Sequence, residues 1–281
     1  MSRLAIGTVQ FGQDYGITNN DGQVQINEVR EILKFAKINN INTLDTASNY
    51  GNSEDILGEV GVDGHHVITK TTSLKYGVNG VIKEFHNSLK KIKQAKVKGL
   101  LIHNIDEIED KKFDILFRKI NELKRQGLVE KIGFSAYTPT QLNYLLENFD
   151  FDLIQVPCNV FDDRFIKEGH LTRLKNKDIE IHARSVFLQG ILLDFNNLSS
   201  YFDSWKDSFI NYQEQVEESG LSLLEYSLNY VLNIKELDKV LVGVNHTEQL
   251  HEIMKSANKN VDLKPFVIDD INLLNPSLWK I

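Results

Sequence analysis

The chain has 281 residues, 41% of them hydrophobic and 25% charged, with a formal net charge of −7 and one cysteine, Cys158. The acidic balance argues against the basic face of a nucleic-acid binder, a lone cysteine excludes an intrachain disulfide and fits a reducing compartment, and no stretch approaches the roughly 20 apolar residues of a membrane span. With too short an apolar run in "MSRLAIGTVQFG" for a secretory leader, the expectation is a soluble cytoplasmic protein with no membrane or nucleic-acid partner.

In chain order, short apolar runs alternate with longer amphipathic stretches. Strands are expected at 4–7 (LAIG), 41–45 (INTLD), 67–70 (VITK), 99–103 (GLLIH), 131–135 (KIGFS), 152–156 (DLIQV), 179–185 (IEIHARS) and 239–243 (KVLVG). Between them lie helical patterns at 27–40, 80–93, 114–127, 138–149 and 247–259; in the first, Val29, Ile32, Leu33 and Ala36 share one face. Asn27, Thr138 before Pro139, and Thr247 before Glu248 suit helix starts, and Gly127 suits a helix end. Residues 186–238 hold an extra loop, "LDFNNLSSYFDSWKDS", and two helices. Eight strand–helix alternations point to an α/β chain folded as a single-domain (β/α)8 TIM barrel over residues 1–281. The rival, an open doubly wound sheet, usually carries a glycine-rich first turn; "GEVGVDG" has the wrong spacing and does not lead from a strand into a helix.

In such a barrel the active site lies at the C-terminal ends of the strands. The residues expected there are Asp45 with Tyr50 in the following loop, then Lys70, His103, Ser135, Gln155 followed by Asn159, and Arg184 with Ser185. Singly each has a plain explanation: Asp45 caps a turn, Lys70 is a solvated strand end. Together, Asp45, Tyr50, Lys70 and His103 form a coherent set. A phenol ionises near pH 10, too high for easy acid–base work at neutrality. A neighbouring lysine lowers that value, an aspartate balances the buried lysine, and a histidine orients a substrate oxygen. That combination suits carbonyl reduction.

At these residues the sequence resembles the aldo-keto reductases. The matching pieces are "IGTVQFG" (6–12), "LDTASNYGNSE" (44–54), "VITK" (67–70), "LLIHN" (100–104), "GFSAYTPTQL" (133–142), "IQVPCN" (154–159), "ARSVFLQGILL" (183–193) and "VGVNHTEQL" (242–250), in the family's order and across nearly the whole chain. The resemblance implies a (β/α)8 barrel that reduces aldehydes and ketones with NAD(P)H and without metal. It implies Tyr50 as proton donor, Lys70 and Asp45 as the groups that tune it, and His103 as the group that positions the carbonyl. Ser135 and Gln155 would hold the nicotinamide carboxamide, with Gly7 and Thr8 beneath the cofactor. Arg184 stands where an aromatic often stacks on the nicotinamide. Ser185, Gln189 and Gly190 would meet the pyrophosphate. Gly243, Val244, Asn245 and Gln249 would grip the adenosine end, at a helix start whose N–H groups can receive phosphate.

The sequence also departs from the family. Ala136 stands where an asparagine usually follows Ser135. His246 and Gln249 stand where NADPH-preferring members often carry a lysine and an arginine. NADP(H) is the cofactor the resemblance implies, NAD(H) the alternative, and the departure leads us to expect an affinity ratio close to one. Gln10, Tyr15, Asn49, Tyr76, Asn159 and Phe161 are candidates for a substrate pocket rich in amides and phenols, which suggests a sugar-type carbonyl, as does a resemblance of the "GT.QFG..YGI" start to reductases of bacterial surface-polysaccharide pathways. "NSE" after Tyr50 reads as a helix start capped by Asn52 or Ser53, with Glu54 at its positive end. No metal is expected, and Cys158 reads as a packed residue; Trp205 either closes over the site or anchors its loop. A monomer or weak homo-oligomer is expected. Two rivals remain at this point: a cofactor-binding regulatory subunit, and a lyase or epimerase using Tyr50 and Lys70 without net redox change.

Overall fold

The computed structural model describes residues 2–106, 108, 111–257 and 262–281. Among them, β1 (Leu4–Gly7), β2 (Thr43–Asp45), β3 (His66–Lys70), β4 (Val97–Ile102), β5 (Val129–Ser135), β6 (Leu153–Pro157), β7 (Glu180–Arg184) and β8 (Lys239–Gly243) pair in parallel, each with the next, and β8 pairs with β1 to close the barrel. In chain order the helices are α1 (Val9–Gly12), α2 (Ile26–Ile38), α3 (Ser53–Val60), α4 (Gly77–Ile92), α5 (Lys111–Arg125), α6 (Pro139–Asn148), α7 (His170–Lys175), α8 (Lys206–Glu218), α9 (Leu223–Leu232), α10 (Thr247–Ser256) and α11 (Ile271–Leu274). The pattern predicted at 247–259 ends at Ser256; Asn258 and Lys259 lie outside the described residues.

Period-two alternation along each strand divides two populations. Leu4 and Ile6, Leu44, Val67, Leu100 and Ile102, Ile132 and Phe134, Ile154 and Val156, Ile181 and Val240 all belong to one continuous apolar core shared with the helices. Their inward neighbours are different. Ile68, Leu101 and Leu153 form a separate small cluster that plugs the barrel, and Gly99 leaves room for it: a Cβ there would lie 2.8 Å from Ile68 Cδ1. One step towards the C-terminal rim, the same inward face carries Asp45, Lys70, Ser135, Gln155 and Arg184, with Gln155 set beside Ser135 by the β5–β6 register. The alternation that buries the outer core therefore points this polar set at one mouth.

Helix caps follow the sequence in part. Thr138 and Gln141 form a reciprocal capping box at α6. Asn27 is not a cap: α2 begins at Ile26 behind Gln25, and the Asn27 side chain accepts from Arg30. Thr247 is the first residue of α10 rather than its cap, which is His246.

Candidate active site

Backbone contact fixes the loop that carries the tyrosine. A Cβ on Gly12 would lie 1.9 Å from Tyr50 O, and one on Gly51, at φ +54°, would lie 2.1 Å from Gly12 O. Only glycines allow the end of α1 to lie against the turn after β2, where the Asn52 N–H donates to Gly12 O at 3.2 Å. The "NSE" that follows does not cap α3 with its side chains. Ser53 is fully buried and its Oγ donates to Thr8 O at 2.8 Å, while buried Glu54 accepts from Thr69 Oγ1 at 2.7 Å. These side chains tie β1, β2 and β3 together under the tyrosine instead of serving the helix end.

Buried Lys70 lies behind Tyr50. Its Nζ makes an ion pair with Asp45 Oδ1, donates to Thr46 O at 3.2 Å, and reaches Tyr50 OH at 3.4 Å. The other Asp45 oxygen accepts from Gln155 Nε2 at 2.8 Å. The His103 ring stands edge-on to Tyr50 at 5.8 Å between centroids. Burial, with the charges of Lys70 and Arg184, lowers the His103 pKa to about 3, so the imidazole is neutral at pH 7. The Tyr50 phenol is raised, not lowered: burial and the Asp45 carboxylate push it above its ordinary value of 10.0. The sequence expectation of a lowered value fails because burial disfavours the phenolate and the Asp45 carboxylate offsets the lysine that was to lower it. The phenol thus keeps its proton at neutral pH. Its oxygen accepts from Lys70 while its own O–H is free to donate, and the ammonium stands ready to stabilise the phenolate once that proton leaves.

Tyr50, Asp45 and His103 border a cavity of about 480 Å³, with Lys70 behind the wall. Of the residues expected at a cofactor, Gly7, Thr8, Ser135, Gln155, Arg184 and Ser185 line it, as do Gln189, Gly190, Gly243, Val244, Asn245 and Gln249 along the loops after β7 and β8. Gln10 and Tyr15 also line it. The other pocket candidates do not. Phe161 is fully buried against Phe209, Tyr212 and Phe266. Asn159 is buried beside it, accepting from Phe161 N and donating to Ser185 O at 3.0 Å, which holds Ser185 at φ +58°. Exposed Asn49 accepts from Thr72, and Tyr76 is 63% exposed on the outside. Sequence reasoning missed Tyr137, whose ring lies 4.0 Å under the Arg184 guanidinium. Arg184 also reaches Ala136 O at 3.2 Å, so it packs over the segment after β5.

A second missed feature is the loop after β1, which crosses the cleft. Ile17 N–H donates to Gln189 O at 3.1 Å, and Gly190, at φ +96°, lies so close that a Cβ would meet Thr18 Oγ1 at 1.8 Å. Asn19 Oδ1 accepts from Asn245 Nδ2 at 2.6 Å, and Asp21 pairs with His246 at 3.1 Å. The helix-start donors expected to meet phosphate are partly engaged already: Asn245 N–H by Gln249 Oε1, and Thr247 N–H by Glu28 Oε1, both at 2.7 Å. Three buried polar atoms of the lining residues, Gln10 Oε1, Arg184 Nε and Asn245 Oδ1, have no partner among the described residues. A wall with such atoms fits a long polar ligand better than an apolar one.

Residues away from the cavity wall have structural roles. Trp205 packs on Tyr201 and Phe202 and donates to Asp270, anchoring its loop away from the cavity. Asp162 is paired with Arg164 at 2.7 Å, and Cys158 is buried. Among the described residues no helix is long and apolar enough to cross a membrane, and no three His, Cys, Asp or Glu side chains lie together as metal ligands.

The Aldo/keto reductase family model matches residues 3–274. The uncharacterized oxidoreductase YqkF of Bacillus subtilis (strain 168) is 28% identical over 258 residues, 83% of either chain. The glyoxal reductase of the same organism is 26% identical over 175 residues, covering 60% of this chain and 61% of its own. Among solved structures, the aldo-keto reductase AKR11C1 from Bacillus halodurans superposes with a TM-score of 0.75 over 93% of this chain and 88% of its own; at 18% identity it speaks to the fold.

Proposed function

We propose that this chain, which belongs to the aldo/keto reductase family, reduces an aldehyde or ketone to the alcohol with a nicotinamide cofactor, NADP(H) or NAD(H), and with Tyr50 as proton donor. The observation that carries the reading is a protonated, partly buried phenol on the cavity wall, 3.4 Å from a lysine that is itself paired with Asp45. The reduced nicotinamide would supply the hydride. The protein's part is to hold the carbonyl oxygen between Tyr50 and neutral His103, so that the proton moves from the phenol as charge develops on that oxygen. Lys70 stabilises the phenolate left behind, and Asp45, fixed by Gln155, keeps Lys70 in place. Ser185, Gln189, Gly190 and the β8 loop would hold the rest of the cofactor along the cleft.

We take the substrate to be a polar carbonyl compound of the sugar kind, because Tyr15, Tyr137 and Arg184 put phenol and guanidinium groups on the cavity wall and Gln10 adds an amide beside Gly243. The test follows loss of reduced-nicotinamide absorbance with a panel of sugar aldehydes, keto-sugars and small apolar aldehydes, with the alcohol quantified in parallel. Stoichiometric alcohol formation supports the reading. Cofactor binding without turnover on any carbonyl would point to a regulatory subunit, and substrate conversion without nicotinamide consumption to a lyase or epimerase. Turnover of small apolar aldehydes alone would refute the sugar-type substrate.

A further inference from the structure

We infer that the cleft takes an unphosphorylated adenosine ribose and therefore binds NAD(H) in preference to NADP(H); this rests on the nicotinamide reading above and reverses the preference that the family resemblance implies. The charge along the cleft is uneven. Its catalytic end holds Arg184, the one Lys or Arg among the described lining residues. The opposite end, where the β1 loop meets the β8 loop and α10, is bordered by two carboxylates, Asp21 and Glu252. A third, Glu28, accepts both the N–H and the Oγ–H of Thr247 at 2.7 Å, so an internal anion already occupies the first N–H of α10. The neighbouring Asn245 N–H is taken by Gln249. His246, the remaining group there that can carry positive charge, is engaged by Asp21 at 3.1 Å.

The buried side-chain atom left without a partner at this end is an acceptor. Asn19 Oδ1 already receives Asp21 N–H and Asn245 Nδ2. That contact turns the Asn245 amide so that its nitrogen faces Asn19, and leaves buried Asn245 Oδ1 without a donor. A ribose hydroxyl is a donor and would satisfy Asn245 Oδ1 or a carboxylate oxygen. A ribose 2′-phosphate carries about two negative charges at neutral pH, offers acceptors, and would meet the Asp21 and Glu252 carboxylates, with no Lys or Arg among the described residues lining this end. Of the donors that ordinarily favour phosphate near a helix start, Glu28 has taken the first N–H of α10 and Gln249 that of Asn245.

The test is calorimetric titration of the protein with NADH and NADPH separately. The expected result is an NADH Kd lower than that for NADPH by about tenfold or more. Asp21 and Glu252 are both exposed, so their substitution should leave the fold intact. The double variant Asp21→Asn, Glu252→Gln is expected to narrow the ratio at least about threefold, chiefly by tightening NADPH, and Glu252→Arg to shift it further toward NADPH. Equal or tighter NADPH binding by the unsubstituted protein, or a ratio that the double variant leaves unchanged, would overturn the inference while leaving the reductase reading intact. Failure of both dinucleotides to bind would overturn the reductase reading itself.

Discussion

Replacing Lys70 with methionine removes a charge while keeping most of the side-chain volume. The Lys70 and Asp45 side chains are 1% and 4% exposed. The ammonium has three donors and three acceptors around it: Asp45, Thr46 O and Tyr50 OH. In Lys70→Met, the buried Asp45 carboxylate keeps only the Gln155 amide at 2.8 Å among these contacts. Stranding one partner of a buried pair costs about 3–5 kcal/mol. At roughly 2–4 °C per kcal/mol for chains of this general size, the melting temperature should fall by about 10 °C. The double variant Lys70→Met, Asp45→Asn removes the stranded charge and still offers Gln155 an acceptor, so it should regain most of the loss. Both should be catalytically dead, because nothing remains behind the phenol to hold its charge. Urea denaturation followed by circular dichroism at pH 7 measures the two differences. A single variant within about 0.5 kcal/mol of the parent, or a double variant no more stable than the single one, would refute the electrostatic reasoning, since that pattern would mean packing and not charge sets the cost.

Three further outcomes are expected. Gly12→Ala would drive a methyl into Tyr50 O, 1.9 Å from where its Cβ must lie, and the shifted loop should cut kcat by about a hundredfold, read by steady-state kinetics. His103 titrates near pH 3 when folded and near 6.5 when exposed, so between those values the unfolded chain binds a proton that the folded chain refuses. Stability should therefore fall as pH drops below 6.5, by about 2 kcal/mol from this group at pH 5, and His103→Asn should flatten that component in denaturation curves taken across the range. Burial and Asp45 hold the Tyr50 phenol above 10.0, so ultraviolet titrations of the parent and of Tyr50→Phe should coincide up to pH 10; a parent curve with an extra phenolate near neutrality would contradict the assigned protonation.

The barrel was readable because each strand is a short apolar run whose alternate residues must face a core. The same alternation explains why Asp45, Lys70, Ser135, Gln155 and Arg184 could be assigned to one rim from spacing alone. What escaped the sequence depends on contacts between distant segments. Asn159 and Phe161 follow β6 as other rim residues follow their strands, yet Phe161 turns into an aromatic cluster with Phe209, Tyr212 and Phe266, and Asn159 turns to the Ser185 carbonyl. Ser53 and Glu54 look like cap residues and are buried ties between strands. The crossing of the β1 loop to Gln189 and Asn245 has no local signature, because it joins residues more than 170 positions apart. Tyr137 lies in the stretch "GFSAYTPTQL", but only the fold sets the Arg184 guanidinium over its ring.

The most direct test of the central claim compares the parent with Tyr50→Phe, which keeps the ring and removes the hydroxyl. NADH and NADPH oxidation should be followed with an activated aldehyde, alongside the Kd of each dinucleotide. The account predicts a loss in kcat of at least about a hundredfold, the scale of a general acid, with dinucleotide affinities unchanged. A variant that turns over within about threefold of the parent would contradict it, because the proton would then have to come from a group other than Tyr50.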